Sequence, residues 1–146
     1  MNLIQSIFHA LTQVHPPHML IVHFPIALTG AALFFILLAI WKRNKILEQV
    51  SFANISLAAV STIVAALFGI RDNIVFYHGG APNHVAKIIL ASTLFIVTTI
   101  TAIARWNNKE LFYSKSTKAL YVAAYFVSFA IASVLGFLGG VILFGM

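Results

Sequence analysis

The apolar stretch MLIVHFPIALTGAALFFILLAIW, residues 19–41, decides the fold of this chain. As an α-helix, its 23 residues would reach roughly 34 Å, which exceeds the hydrocarbon core of a bilayer, about 30 Å. Three further runs of similar length contain no Asp, Glu or Arg, and they cover residues 51–70, 85–104 and 119–145. The sequence therefore predicts four transmembrane helices.

The composition supports the same conclusion. Of 146 residues, 61% are apolar and only 8% are charged, whereas about a quarter of the residues in a typical soluble domain are charged. Too few polar residues remain to cover the outside of a water-soluble bundle. The polar connections, residues 42–50, 71–84 and 106–118, are short, and short connections join antiparallel neighbours. We predict a single all-α domain over residues 1–146, a transmembrane four-helix bundle with up-down-up-down topology.

The basic residues are distributed unevenly about the predicted spans. The formal net charge is +6 with neutral histidine, from nine Lys plus Arg against three Asp plus Glu. Arg71 and Lys87 lie on one side of the membrane. The other seven basic residues flank the opposite side: Lys42, Arg43, Lys45, Arg105, Lys109, Lys115 and Lys118. Because basic residues favour the cytoplasmic side, this asymmetry predicts an inner-membrane protein with both termini in the periplasm. Membrane topology then accounts for the positive net charge, which does not indicate a nucleic-acid partner.

Residues 1–17 form a separate segment before the first span. They lack the basic region and the small-residue cleavage site of a signal peptide, so we expect them to be retained. Apolar residues recur at helical spacing before Pro16 and Pro17: Leu3, Ile4, Ile7, Phe8, Leu11 and Val14. This pattern predicts a short amphipathic helix that lies on the outer surface of the membrane.

The histidines are the main candidates for chemistry. With the predicted topology all six lie toward the outer side: His9, His15, His18, His23, His78 and His84. A histidine one turn inside a span, as His23 is, is costly unless it finds a partner. His84 opens the third span, where the positive end of the helix dipole favours a neutral imidazole. We predict that His23 and His84 meet inside the bundle.

Further residues near this end suggest supporting roles. Arg71 and Asp72 follow the second span, where they would either cap the helix at the headgroups or serve a bound group. In the second case Asp72 would orient a liganding histidine, and Arg71 would hold a haem propionate or a lipid phosphate. Gly136 and Gly140 continue a four-residue spacing of small side chains in the last span. That spacing serves either close helix packing or room for a flat macrocycle.

Four segments resemble one family of bacterial membrane proteins. They are HPPHMLIVHFPIAL (15–28), LFGIRD (67–72), APNHVAKIIL (81–90) and GFLGGVILFG (136–145). The chain resembles the family known as domain of unknown function two-two-three-one from His15 onward. This resemblance implies a four-helix integral membrane module that works beside respiratory or c-type cytochrome systems.

The resemblance also assigns positions. His18 and His23 match the family's paired histidines, Asp72 its acidic residue after the second helix, and His84 its third-helix histidine. The chain departs from the family pattern at Ile88, where a polar amide is expected. It also departs in its last residues, which lack an aromatic, histidine and glycine tail. A site must therefore be built from the first and third spans and the loop before the third.

Three functions remain compatible with these residues. The first is a non-covalent b-type haem with His23 and His84 as axial ligands, or His18 with His78 as a second pair, in an electron-transfer subunit of a larger respiratory or redox complex. A quinone is an additional candidate partner at this end. The second is a noncatalytic accessory subunit of a larger membrane complex. The third is a copper or zinc site made from the imidazoles of His15, His18, His23, His78 and His84.

Several other functions find no support. The chain has no cysteine, which excludes disulfides, iron–sulfur clusters and covalently attached c-type haem. No nucleophile motif, phosphate-binding glycine loop or pair of carboxylates indicates a hydrolase or a kinase. We therefore expect an electron carrier or an accessory subunit in preference to an enzyme that acts alone.

Overall fold

The computed structural model describes residues 2–9 and 17–144, and for residues 7, 8 and 141–144 the backbone alone. All regular secondary structure in these residues is helical. The helices are α1, Leu3–His9; α2, His18–Ile21; α3, His23–Lys42; α4, Lys45–Tyr77; α5, His84–Asn107; and α6, Lys118–Phe144. Helix α1 covers part of the segment for which an amphipathic helix is predicted, whereas Leu11 and Val14 lie outside the described residues.

Four stretches are long and apolar enough to cross a membrane: His18–Lys42, Lys45–Tyr77, His84–Asn107 and Lys118–Gly140. This confirms the prediction of an all-α chain with four membrane-spanning helices, and the protein is a multi-pass membrane protein. The first stretch comprises α2 and α3, and Val22 separates these two helices. Pro25 accounts for this interruption because it has no N–H to donate to the carbonyl of Ile21.

Helix α4 departs most from the predicted spans. It has 33 residues, whereas the apolar run covers residues 51–70. Asn44 caps its start, because its side chain accepts a hydrogen bond from the N–H of Ile46 at 2.8 Å. His78 ends the helix in the left-handed conformation, with φ 50°. Much of the polar sequence predicted as connections is therefore helical.

The four spans pack as a ring. Helix α3 packs against α4 and α6, and α5 also packs against α4 and α6. The hydroxyl of Ser51 on α4 donates to the carbonyl of Ala32 on α3 at 2.7 Å. His18 meets Ala65 further along α4. The first and third spans consequently lie on opposite sides of the ring.

The interior of the ring is partly polar. Its buried residues include alanines and hydroxyl residues beside larger side chains such as Ile36 and Leu94. The hydroxyls of Thr29, Thr62 and Thr98 each donate to a carbonyl oxygen one turn earlier in their own helix. Large apolar residues such as Phe34, Leu57 and Ile100 face outward. This distribution is expected in lipid, where association relies on close packing of small residues and apolar side chains can face the acyl chains.

Candidate functional site

One end of the bundle carries the predicted site residues. We call it the histidine end, and it holds the start of α2, the end of α4 and the start of α5. The backbone N–H of His18 donates to Asp72 Oδ2 at 2.9 Å, and its ring Nδ1 lies 2.9 Å from the carbonyl oxygen of Ala65. Gly69 permits this approach, since a Cβ added there would lie 3.1 Å from His18 Cε1. His18 is half-buried and joins the first two spans.

Asp72 is buried, with 3% of its surface exposed. Its Oδ1 accepts a hydrogen bond from Arg71 Nη1 at 2.8 Å, and its Oδ2 accepts the N–H of His18. Asp72 therefore contacts the backbone of a predicted ligand and not its ring. Among the described residues, its carboxylate orients the start of α2 and no imidazole nitrogen.

Sequence reasoning predicts that His23 points into the bundle, but the structure places it on the outside. Its side chain is exposed. Successive helical residues are about 100° apart, so His23 lies roughly 200° from Pro25, the first buried residue of α3. Its ring Nδ1 lies 2.6 Å from the carbonyl oxygen of Met19, one turn earlier. The imidazole stands on the outer wall of the first span.

His84 is half-buried at the start of α5. Its Nδ1 lies 2.9 Å from the carbonyl oxygen of Ala81, in the loop before the helix. A carbonyl oxygen only accepts, so Nδ1 of His84 carries the hydrogen and donates it to Ala81, and Nε2 keeps its lone pair. The same tautomer follows for His18 and His23. Metal-binding histidines commonly use this arrangement, with one nitrogen on a carbonyl and the other on the metal.

The rings of His18, His23 and His84 each contact a different part of the protein. His18 contacts α4, His23 contacts α2 of its own span, and His84 contacts its preceding loop. Within residues 2–9 and 17–144, no three His, Cys, Asp or Glu side chains stand close enough to hold a metal ion. His78 is exposed at the end of α4. His15, part of the predicted copper or zinc set, lies outside the described residues.

The two predicted glycines of α6 have different surroundings. A Cβ added to Gly136 would lie 2.8 Å from Cδ1 of Ile26, so this glycine permits close packing of α6 against α3. No atom of the described residues lies within 4 Å of a Cβ added to Gly140. Of the two positions, only Gly140 leaves space for another group.

The opposite end, which we call the lysine end, contains a polar cluster that the sequence did not reveal. It holds the start of α4, the end of α5 and the start of α6. Glu48 is fully buried and binds Arg105 through two hydrogen bonds, Nε to Oε1 at 2.5 Å and Nη2 to Oε2 at 2.7 Å. The hydroxyl of Tyr121 donates to Glu48 Oε1 at 3.1 Å and lies 2.7 Å from the hydroxyl of Tyr125. One carboxylate thus connects three of the four spans.

In the sequence, Glu48 falls in a predicted polar connection, and Arg105 is one of the basic residues that predict the topology. Two signals pointed to a different role. Glu48 lies in the first turn of α4 and Arg105 in the last turn of α5, where each charge complements its helix dipole. Tyr121 and Tyr125 are four residues apart, which places both hydroxyls on one face of α6. The pairing itself depends on how the helices are positioned against one another.

Most of the chain matches one family of membrane proteins. The family model described as Predicted membrane protein (DUF2231) matches residues 14–145. No curated protein and no solved structure matches the chain. The match covers nearly the whole chain, including the histidines of the first and third spans and the Asp72 junction, and it agrees with the resemblance seen in the sequence. The chain therefore belongs to this family of predicted membrane proteins.

Proposed function

We propose that this protein is a b-type haem-binding, electron-transfer subunit of a larger membrane complex. In this proposal the spans run up-down-up-down in the inner membrane, with the histidine end on the periplasmic side. Two features support the orientation. Ser51 meets Ala32 while Ala65 meets His18, so residue numbers rise along α4 as they fall along the first span. Most basic residues lie at the lysine end, as expected for the cytoplasmic side.

The exposed imidazole of His23 carries the proposal. It lies one turn inside a membrane-spanning stretch, and its Nδ1 is fixed by the carbonyl of Met19. No hydrogen bond to a described residue uses its Nε2. A polar ring in this position is costly in lipid, and that cost falls when a bound group takes the lone pair. The iron of a haem is such a group, and the apolar macrocycle suits the surrounding apolar wall.

His84 is the second ligand in this proposal, because it presents the same tautomer at the same end. The two histidines lie on spans that face each other across the ring, but His23 faces outward, so binding of one haem by both would require the start of the first span to turn His23 toward the interior of the histidine end. Gly140 leaves space on α6 at the histidine end, whereas the space beside Gly136 is filled by the side chain of Ile26. A bound haem would supply one-electron redox chemistry, and the chain would hold and orient it through His23 and His84.

The proposal is tested with purified full-length protein from cells supplied with haem. A reduced-minus-oxidised visible spectrum is expected to show the sharp bands of b-type haem. His23→Ala and His84→Ala are each expected to remove these bands. His9→Ala is the matched control, since His9 is exposed on α1 and belongs to no predicted ligand pair. Colourless wild-type protein, or bands that survive both ligand substitutions, would contradict haem binding at these residues.

A noncatalytic accessory subunit is the second candidate, and the outward position of His23 also favours it. A donor group from a neighbouring subunit would satisfy Nε2 as well as an iron would. Colourless, metal-free protein that co-purifies with a larger complex, and loses it in His23→Ala, is the outcome expected from this function. Copper or zinc in stoichiometric amount by elemental analysis would instead indicate the imidazole metal site, which needs His15 or a partner's residues in addition to the described ones.

A further inference from the structure

We propose that a groove at the lysine end binds the phosphate headgroup of an anionic phospholipid. The groove lies between the start of α4 and the end of α5. Its lining residues are Lys45, Gln49, Phe52, Arg105, Trp106 and Lys109. The inference concerns the end of the molecule opposite the histidines, so it is independent of haem binding.

The charges of the groove favour an anion. Lys45 and Lys109 are exposed, and neither forms an ion pair within the part of the chain that the structure describes. The chain has only three acidic residues. Glu48 is already bound to Arg105, Asp72 lies at the histidine end, and Glu110 does not line the groove. The two lysines thus present uncompensated positive charge.

Arg105 adds a hydrogen-bond donor to the lining of the groove. Its side chain is 7% exposed, and Nε and Nη2 are both used by Glu48. Its third nitrogen, Nη1, has no acceptor among the described residues. A phosphate oxygen in the groove would supply that acceptor, and guanidinium groups bind phosphate oxygens well.

The remaining lining residues suit a lipid better than a free ion. The rings of Phe52 and Trp106 lie side by side, with centroids 6.5 Å apart, and Trp106 is 74% exposed. Tryptophan is favoured at the headgroup level, where its ring contacts acyl chains and its N–H contacts polar groups. Basic pockets between helix ends at this level are typical sites for anionic lipid headgroups. A zwitterionic lipid would bring a cation next to the two lysines.

The two tryptophans of the chain allow a direct test. Trp41→Phe leaves Trp106 as the single tryptophan, and Trp106→Phe leaves Trp41, which is equally exposed but outside the groove. Each full-length variant is placed in phosphatidylcholine vesicles that contain either brominated phosphatidylglycerol or brominated phosphatidylcholine. Bromine quenches a nearby tryptophan. Quenching of Trp106 is expected to favour the anionic lipid by about fivefold for each groove lysine, whereas Trp41, with the single ammonium of Lys42 4.8 Å from its ring, is expected to show the smaller preference of one lysine.

Charge substitutions locate the effect. Lys45→Gln with Lys109→Gln is expected to abolish the preference seen at Trp106. Lys115→Gln with Lys118→Gln removes the same charge from the same end, but these lysines line a separate groove with Ile40 and Val122. This control pair is expected to keep the preference.

Three results would overturn the proposal. One is equal quenching of Trp106 by both brominated lipids. Another is equal loss of the preference in the two lysine pairs, which would show a general attraction of the basic surface. The last is displacement of the brominated anionic lipid by inorganic phosphate at the same concentration, because the groove would then bind a soluble anion in preference to a lipid.

Discussion

The polar groups at the two ends of this bundle are hydrogen-bonded in opposite ways. At the lysine end, Glu48, Arg105, Tyr121 and Tyr125 bind one another across three spans and are nearly all removed from the surface. At the histidine end, the rings of His18, His23 and His84 are each fixed by one nitrogen to a backbone carbonyl, and the other nitrogen has no partner among the described residues. A closed network contributes to assembly of the bundle, whereas one-sided hydrogen bonding leaves groups available to a ligand. The Glu48 cluster therefore stabilises the bundle, and the free nitrogens of His23 and His84 are the groups that the proposed haem site would use.

The largest effect is expected when the closed network is opened. Arg105→Met would leave the carboxylate of Glu48 buried without its cation, which typically costs about 3–5 kcal/mol. The free energy of unfolding, measured by denaturant titration of the purified protein in detergent, is expected to fall by about that amount. The double variant Glu48→Gln with Arg105→Met is expected to recover most of the loss, because no charge remains buried.

A loss below about 1 kcal/mol in Arg105→Met would contradict this assignment, since surface ion pairs have such small effects. Failure of the double variant to recover would mean that the geometry of the two hydrogen bonds matters more than the buried charge. Either result would remove the contrast between a structural lysine end and a functional histidine end.

A smaller loss is expected at the Asp72 junction. Asp72→Ala would leave the N–H of His18 without its acceptor and separate α2 from the end of α4. This hydrogen bond is only partly buried, so the expected cost is about 1 kcal/mol, the lower end of the range for an unsatisfied buried donor. Hydrogen exchange is expected to increase at His18–Ile21 and to stay unchanged at Arg105. Asp72→Asn keeps an acceptor oxygen and is expected to lie between wild type and Asp72→Ala, whereas unchanged exchange at His18 in Asp72→Ala would exclude this role.

The two ends also differ in how far the sequence predicts them. The four spans are evident because each apolar run is long enough to cross lipid. The helix limits are not, because Asn44 and His78 end α4 by local backbone and cap geometry well outside the apolar run. The Glu48–Arg105 pair joins residues 57 positions apart, and no periodicity in the sequence encodes that contact.

At the histidine end, the sequence places the residues at the correct helix ends, but it does not predict the direction in which their side chains point. Whether His23 points inward depends on the phase of α3, which is fixed by packing of Pro25, Thr29 and Ala32 against the ring. His23 lies two residues before this face begins, and so it faces outward. A prediction of binding depends on that phase more strongly than a prediction of fold does.

The glycines of α6 allow a comparison within one helix. Gly136→Ala would push a methyl group against Ile26, so we expect a destabilisation of about 1 kcal/mol, because overpacking in a filled contact typically costs about 1–3 kcal/mol. Gly140→Ala has open space and is expected to be neutral or to stabilise by up to about 1 kcal/mol, since alanine is the better helix former. Detergent-based unfolding of the two variants measures the difference. Equal destabilisation would mean that Gly140 is also packed.

The smallest effect on stability is expected at the residue that matters most for the proposed function. Because the ring of His23 is exposed and bonds only within its own span, to Met19 of α2, His23→Ala is expected to change the free energy of unfolding of the isolated chain by less than about 0.5 kcal/mol. His18→Ala serves as the comparison, since its half-buried ring contacts Ala65 on another span, and we expect it to cost about 1 kcal/mol or more. If His23→Ala destabilises the ligand-free chain as strongly as His18→Ala, then the ring of His23 contributes to the structure of the bundle, and its exposed nitrogen no longer indicates a binding site. If it leaves stability unchanged but removes the haem bands or the partner complex, then the separation between a structural end and a functional end holds at the level of single side chains.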